Sequence, residues 1–294
     1  VRRMFMAYPK AAPDQIIIEQ TPAGLRRWCA QRRRAGESIG LVPTMGALHE
    51  GHMALVADLS KITDRVVVSI FVNPTQFAPG EDFGRYPRSE AADLEKLSSL
   101  GVDMAYMPTV DAMYPDGFAT EVKVGGPLTE RLDAVVRPGH FTGVATVVSK
   151  LLLQAMPDVA AFGEKDYQQL QIIRRMTADL NLPIEIMAVK TVRDDHGLAL
   201  SSRNAYLTTE ERKIARQLNK ILARTGLLLR NGADGPAACV RAEQDLLDAG
   251  FTSVDYVAFA DPDSLAPLIA FEGRGRVLAA ARLGKTRLID NMSV

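Results

Sequence analysis

Short apolar runs alternate with amphipathic stretches over the first two-thirds of the chain. Ile39, Leu41 and Val42 belong to one run over 38–43, Val66-Val67-Val68-Ser69-Ile70-Phe71-Val72 form a second, and others cover 102–107, 159–162 and 184–189. Between them apolar residues recur at three- and four-residue spacing, as in Leu55, Val56 and Leu59, or Val144, Val147, Val148, Leu151 and Leu152. This spacing predicts helices over 52–61, 89–100, 141–155 and 166–180, with a surface helix over 22–33 ahead of them. Strands apolar on both faces and separated by helices predict an α/β fold, a doubly wound parallel sheet covered on both sides. Beyond Thr191 the order changes. Two helices (208–230 and 236–249) precede three strands (254–259, 276–281 and 286–289), which predicts a smaller C-terminal α+β domain. The expected domains are 1–190 and 191–294, and a cleft between two such units is a natural ligand site.

Ligands of a doubly wound sheet lie at the carboxyl ends of its strands, and the polar clusters of this chain fall there. The first strand runs into Met45-Gly46-Ala47-Leu48-His49-Glu50-Gly51-His52, a strand-to-helix turn. Its glycines let a ligand approach the backbone, and its two histidines stand three apart at a helix start, where N–H groups and the helix dipole favour phosphate. Asn73-Pro74-Thr75-Gln76, Gly163-Glu164-Lys165-Asp166 and Thr191-Val192-Arg193 follow later strands. Lys165 can meet a phosphate as a point charge. Leu200-Ser201-Ser202-Arg203-Asn204 adds hydroxyls and a guanidinium suited to the outer phosphates of a nucleotide. Gln76 and Gln169 are neutral amides able to serve hydroxyls and a carboxylate, and Arg137 is a candidate for an anionic ligand. Asp93, on the polar side of helix 89–100, is placed either in solvent or near a Mg²⁺ held mainly by phosphates and water. His140 reads as a capping or packing residue and His196 as loop surface.

Composition narrows the chemistry. The chain has 294 residues, 47% hydrophobic and 24% charged, and its 35 basic and 35 acidic residues cancel. No bulk attraction to nucleic acid or membrane follows. The two cysteines lack CxxC company, which argues against a disulfide scaffold or a structural metal and for a reducing compartment. No apolar run reaches the roughly 18 to 20 residues of a spanning helix, and Val1-Arg2-Arg3-Met4 does not open a signal peptide, so a cytoplasmic protein is expected. Spacing suggests no Ser/His/Asp set, Cys/His pair or paired carboxylates. A phosphate site without a protein nucleophile suits a reaction in which the substrate supplies one, such as a carboxylate attacking the α-phosphorus of ATP.

Met45 to His52 resembles the HxGH signature of the nucleotidyltransferase superfamily, whose sheet is Rossmann-like. Taken in order with Pro43-Thr44-Met45-Gly46-Ala47-Leu48-His49, Phe71-Val72-Asn73-Pro74-Thr75-Gln76-Phe77, Arg137-Pro138-Gly139-His140-Phe141, Phe162-Gly163-Glu164-Lys165-Asp166-Tyr167-Gln168-Gln169 and Leu198-Ala199-Leu200-Ser201-Ser202-Arg203-Asn204, the chain over about 38–292 resembles the pantoate–β-alanine ligase family. The resemblance implies condensation of (R)-pantoate with β-alanine through a pantoyl adenylate, with ATP cleaved to AMP and pyrophosphate. It implies that Met45, Gly46, Ala47, Leu48, His49, Glu50, Gly51 and His52 hold ATP, with both histidines on phosphate oxygens and His52 as proton donor. Gly163, Glu164, Lys165, Asp166, Val192, Leu200, Ser201, Ser202 and Arg203 would complete the ATP site. Gln76 and Gln169 would hold pantoate, with Gln76 also near β-alanine. Mg²⁺ would accompany the phosphates, and a homodimer is expected. Two departures stand out: Leu200 where Met is frequent, and Ala91-Ala92 before Asp93, where an acidic run is frequent and which weakens the metal assignment.

Overall fold

The computed structural model describes residues 15–78 and 80–294; the start at Val1-Arg2-Arg3-Met4 lies outside the described residues. In chain order the elements are β1 (Ile17–Glu19), α1 (Pro22–Arg34), β2 (Ile39–Thr44), α2 (Glu50–Leu59), β3 (Arg65–Ile70), α3 (Glu90–Ser99), β4 (Met104–Tyr106), α4 (Val110–Met113), α5 (Asp133–Val136), α6 (His140–Ala155), β5 (Val159–Gly163), α7 (Tyr167–Asp179), β6 (Glu185–Val189), α8 (Thr209–Arg230), α9 (Gly235–Asp248), β7 (Ser253–Ala260), β8 (Arg276–Leu283) and β9 (Thr286–Ser293). Chain contacts divide them into two units. One takes the chain up to Val124 with Gly139–Gly163 and Ile172–Val189; the other takes Gly125–Pro138, Glu164–Gln171 and Lys190–Val294. The division is therefore more than a cut near residue 190, because two earlier segments group with the C-terminal part.

The first unit is built on a six-stranded sheet in the order β1-β4-β3-β2-β5-β6, with every pairing parallel. The strands are short and apolar because both faces are covered: Val66, Val67 and Val68 are all fully buried, as are Leu41 and Val42. Side chains of β2, β3 and α2 share one core with Leu97 of α3. Strand order reverses between β2 and β5, which is the switch point where such sheets bind ligands. The carboxyl end of β2 delivers the chain into Met45 to His52.

Three departures from the sequence pattern have local causes. β1 is an edge strand of three residues whose Ile17 and Ile18 are about half exposed, too short and too wet to show periodicity. α2 starts at Glu50 because His49 acts as its N-cap. The glycine- and proline-rich stretch after Tyr114 contains one turn of helix, α5, and a 3₁₀ turn over Pro127–Thr129.

The second unit centres on the antiparallel sheet β7-β8-β9 with α8 and α9. Thr208 caps α8 in a reciprocal box with Glu211, and Leu218, Leu222 and Leu229 of that helix are buried with Val277, Ala279 and Ala281 of β8. Among the described residues no helix is long and apolar enough to cross a membrane.

α6 runs against the turn that carries Gln76. A Cβ at Gly143 would fall on the backbone of Thr75 and Gln76, and the Gly143 carbonyl accepts a 3.2 Å hydrogen bond from Asn73. Helix propensity alone would favour alanine here by about 1 kcal/mol, whereas overpacking against fixed backbone costs about 1–3 kcal/mol. Gly143→Ala is therefore expected to lower stability in urea denaturation. A raised midpoint would show that the Gln76 turn yields freely.

Candidate active site

The histidine turn is fixed before any ligand arrives. Gly46 and Ala47 are both left-handed, at φ 79° and 49°. Gly46 is required, since a side chain there would be strained and would also crowd Ile70 and the Asp93 carboxylate. Ala47 tolerates its conformation because its N–H donates to Asp93 Oδ2 at 2.8 Å while the next N–H, of Leu48, donates to Oδ1 at 2.8 Å. Ser89 Oγ adds a third hydrogen bond to the same carboxylate. One helical turn on from Asp93, Lys96 Nζ donates to the Leu48 carbonyl at 2.5 Å. α3 thus grips the turn with one anion and one cation from the same face.

This arrangement corrects the expectation for Asp93. It is 1% exposed rather than solvated, and both of its oxygens are committed to backbone amides. Among the described residues no group of three His, Cys, Asp or Glu could hold a metal ion.

The histidines complete the turn. His49 Nδ1 accepts from the Gly51 N–H at 3.1 Å, and His52 Nδ1 accepts from the His49 N–H at 3.3 Å. A neutral imidazole that accepts at Nδ1 carries its hydrogen on Nε2. Hydrogen bonding therefore makes both rings Nε2–H donors, half-buried, with centroids 4.1 Å apart. The backbone amides of Ala47, Leu48, His49 and Gly51 are all taken by side chains. The open amide cradle that the sequence suggests is therefore largely filled by the protein's own side chains.

Gln76 lies in the same unit. Its Oε1 accepts from Asn73 Nδ2 at 3.1 Å and its Nε2 approaches Met45 Sδ at 3.1 Å, which ties it to the start of the histidine turn. Asn73 is 1% exposed and its Oδ1 accepts from Tyr114 at 2.8 Å. His140, the first residue of α6, donates from Nδ1 to the Gln76 carbonyl at 2.8 Å.

In the second unit, Glu164 to Asp166 form a 3₁₀ turn ahead of α7, with Lys165 Nζ 3.6 Å from Asp166 Oδ1. Gln168 is buried and structural: its amide bonds Asp133 N, Leu128 O and Arg131 O. Its neighbour Gln169 is half-buried and makes no side-chain hydrogen bond among the described residues. Val192 and Leu200 face each other across a hairpin, where the Leu200 N–H donates to the Val192 carbonyl at 3.0 Å. Ser201 then caps the 3₁₀ turn Ser202–Tyr206 by accepting from Arg203 N. Arg137 follows α5, its N–H bonded to the Asp133 carbonyl. His196 is on the surface of the hairpin turn.

The sequence profile of the family described as Pantoate-beta-alanine ligase matches residues 17–293. The chain belongs to the pantoate–β-alanine ligase family. The pantothenate synthetase of Paramagnetospirillum magneticum is 54% identical over 279 residues, covering 95% of this chain and 98% of that one. The crystal structure of pantothenate synthetase from Thermus thermophilus is similar at a TM-score of 0.88 and 46% identity, covering 94% of this chain and 99% of that chain. That of pantoate-β-alanine ligase from Francisella tularensis, complexed with β-γ ATP and β-alanine, has a TM-score of 0.79 and 34% identity, covering 94% and 97%. As a pantoate–β-alanine ligase the chain is an enzyme, which joins (R)-pantoate to β-alanine at the expense of ATP to give pantothenate, AMP and pyrophosphate.

Several residues of this ligase carry no sequence signal. Asp133 is buried and accepts from Tyr256 at 2.7 Å and from Arg287 at 2.6 Å. Burial pushes its carboxyl up, but the Arg287 guanidinium and the two hydrogen bonds outweigh that and hold it below the usual aspartate range. Burial, joined by the Asp133 charge, pushes the Tyr256 hydroxyl well above its ordinary value. Because Asp133 binds its proton more weakly when folded, the stability it supplies is complete above the ordinary pKa of about 3.9 and is lost as pH falls through the folded value. Urea midpoints measured from about pH 5 down to about pH 2 should therefore fall less steeply for Asp133→Asn than for the wild type. Parallel slopes would remove Asp133 from the acid response.

Proposed function

We propose that the turn from Met45 to His52 takes the phosphates of ATP, with the Nε2–H groups of His49 and His52 as the donors to phosphate oxygens. The observation that carries this reading is the pair of Nδ1 acceptors, which supports one hydrogen-bonding polarity for both rings. We assign Gly163, Glu164, Lys165, Asp166, Val192, Leu200, Ser201, Ser202 and Arg203 to the same nucleotide. Gln76, Gln169 and Arg137 are assigned to pantoate, and Gln76 also to β-alanine. Binding of ATP and β-alanine by the ligase of Francisella tularensis supports the substrates. A cytoplasmic homodimer completes the reading, on the strength of the family resemblance.

The chemistry proceeds in two displacements. The pantoate carboxylate, already ionised at neutral pH, attacks the α-phosphorus; a new P–O bond forms as the bond to pyrophosphate breaks. The neutral amine of β-alanine then attacks the acyl carbon, AMP leaves with the electron pair of the C–O bond, and the amine loses a proton to complete the amide. The protein supplies alignment and donors for the negative charge that builds on the phosphates. Mg²⁺ travels with the nucleotide in this reading, and no protein carboxylate is assigned to it.

Pyrophosphate release from ATP and (R)-pantoate, followed with and without β-alanine, tests the scheme. Release should require pantoate and stop near roughly one equivalent per site until the amine is added, as a retained intermediate demands. His52→Ala should slow this first phase by about a hundredfold or more, as does loss of a preorganised donor. Release independent of pantoate, or a near-normal first phase in His52→Ala, would contradict the assignment.

A further inference from the structure

The second unit carries its two proposed nucleotide segments on adjacent residues of one strand. Asn291, on β9, is buried, and its Nδ2 donates to the carbonyls of both Glu164 and Lys165 at 2.9 Å each. Those carbonyls belong to the two peptide planes that meet at the Cα of Lys165. Fixing both planes fixes φ and ψ at that residue, and with them the direction in which the lysine side chain leaves the backbone. Asn291 is itself held: its Oδ1 accepts from Arg276, whose guanidinium lies 3.6 Å from the centre of the Tyr167 ring, at the start of α7. A 3.9 Å approach of Arg276 to Glu164 closes the loop on the same turn.

The preceding residue, Asp290, holds the other segment. Its carboxylate is buried and takes a bidentate pair from Arg193, at 2.6 and 2.8 Å, while Oδ1 also accepts the Asn291 N–H. Arg193 pairs with Ala199 across the hairpin that opposes Val192 to Leu200 and leads into Ser201 to Arg203. Two backbone segments far apart in sequence are thus referenced to one dipeptide. Planar, charge-assisted bonds of this kind set geometry more tightly than surface contacts do.

We infer that Asn291, seconded by Asp290, is a positioning residue for adenylation: it sets the direction of Lys165 and keeps the Lys165 turn in register with the Ser201–Arg203 segment. The inference rests on the reading that Lys165 meets the phosphates of ATP. Asn291 touches no reacting atom and acts through the lysine it orients.

The discriminating variant is Asn291→Asp. It keeps the size of the side chain and a partner for Arg276, so the fold is retained, but replaces the Nδ2 donor with an oxygen that repels both carbonyls. Asn291→Ala would also leave Arg276 without its acceptor and is the less selective change. Single-turnover formation of pantoyl adenylate should fall by about tenfold or more, the loss of a preorganised contact, with a larger effect on the ATP dependence than on the pantoate dependence. Attack of β-alanine on adenylate already formed should stay within a few-fold of wild type. In a cycle with Lys165→Ala the two losses should not add, because a lysine that is absent cannot be misdirected. Folded Asn291→Asp with wild-type adenylation, or with a loss fully additive to that of Lys165→Ala, would overturn the inference. A normal rate in Lys165→Ala alone would instead overturn the reading on which it rests.

Discussion

A buried carboxylate holding two consecutive backbone amides is the constraint on which the first half of the site depends. Asp93 makes the left-handed Gly46–Ala47 pair tolerable by taking the N–H groups of Ala47 and Leu48, one on each oxygen. Remove that carboxylate and one buried and one half-buried amide lose a charged partner, a loss of about 1.5–3 kcal/mol per bond. Because the turn is fixed there, the chain enters α2 with His49 at the cap, and the capping hydrogen bonds then determine which nitrogen of each ring carries the hydrogen. Backbone strain, helix capping and imidazole polarity are one structure, and the proposed donation to phosphate rests on all three.

The second unit solves a similar problem with strands instead of a helix. Its buried polar residues are paired almost throughout: Asp133 with Arg287 and Tyr256, Asp290 with Arg193, Asn291 with two carbonyls and Arg276. Such pairs add little to stability compared with apolar packing, and replacing one partner is costly. Their value here is positional. The Asp290 and Asn291 pairs end on the hairpin that leads to Ser201 and on the Lys165 turn, the two segments proposed for the nucleotide, and specify where that backbone lies.

Much of this was legible in the chain. Burial on both faces makes Val66 to Val72 a continuous apolar run, and the α6 positions from Val144 to Leu152 keep a helical period, so the parallel sheet follows from the pattern. Glycine-flanked histidines at a strand end read as a strand-to-helix turn, and β2 does lead through them into α2. Asp93 was less legible. An acid on an otherwise polar helix face looks solvated, and only the fold brings it against residues 47 and 48, more than forty positions earlier. Asn291 and Asp133 left no trace for a related reason: their partners are distant in sequence, two backbone carbonyls for Asn291 and the Tyr256 and Arg287 side chains for Asp133, and such bonds leave no local spacing. β1 was missed because three half-exposed residues cannot display a period.

The role of Asp93 separates the two ways of understanding the site, and the most direct measurement is the rate of pantoyl-adenylate formation by Asp93→Asn as Mg²⁺ is raised. As a clamp, Asp93 gives way to an amide that can accept one N–H but opposes the other. The rate should then fall by about tenfold or more, in line with a charge-assisted bond lost, and stay low at every Mg²⁺ concentration. Recovery of the wild-type rate at high Mg²⁺ would contradict this and show that Asp93 acts as a metal ligand.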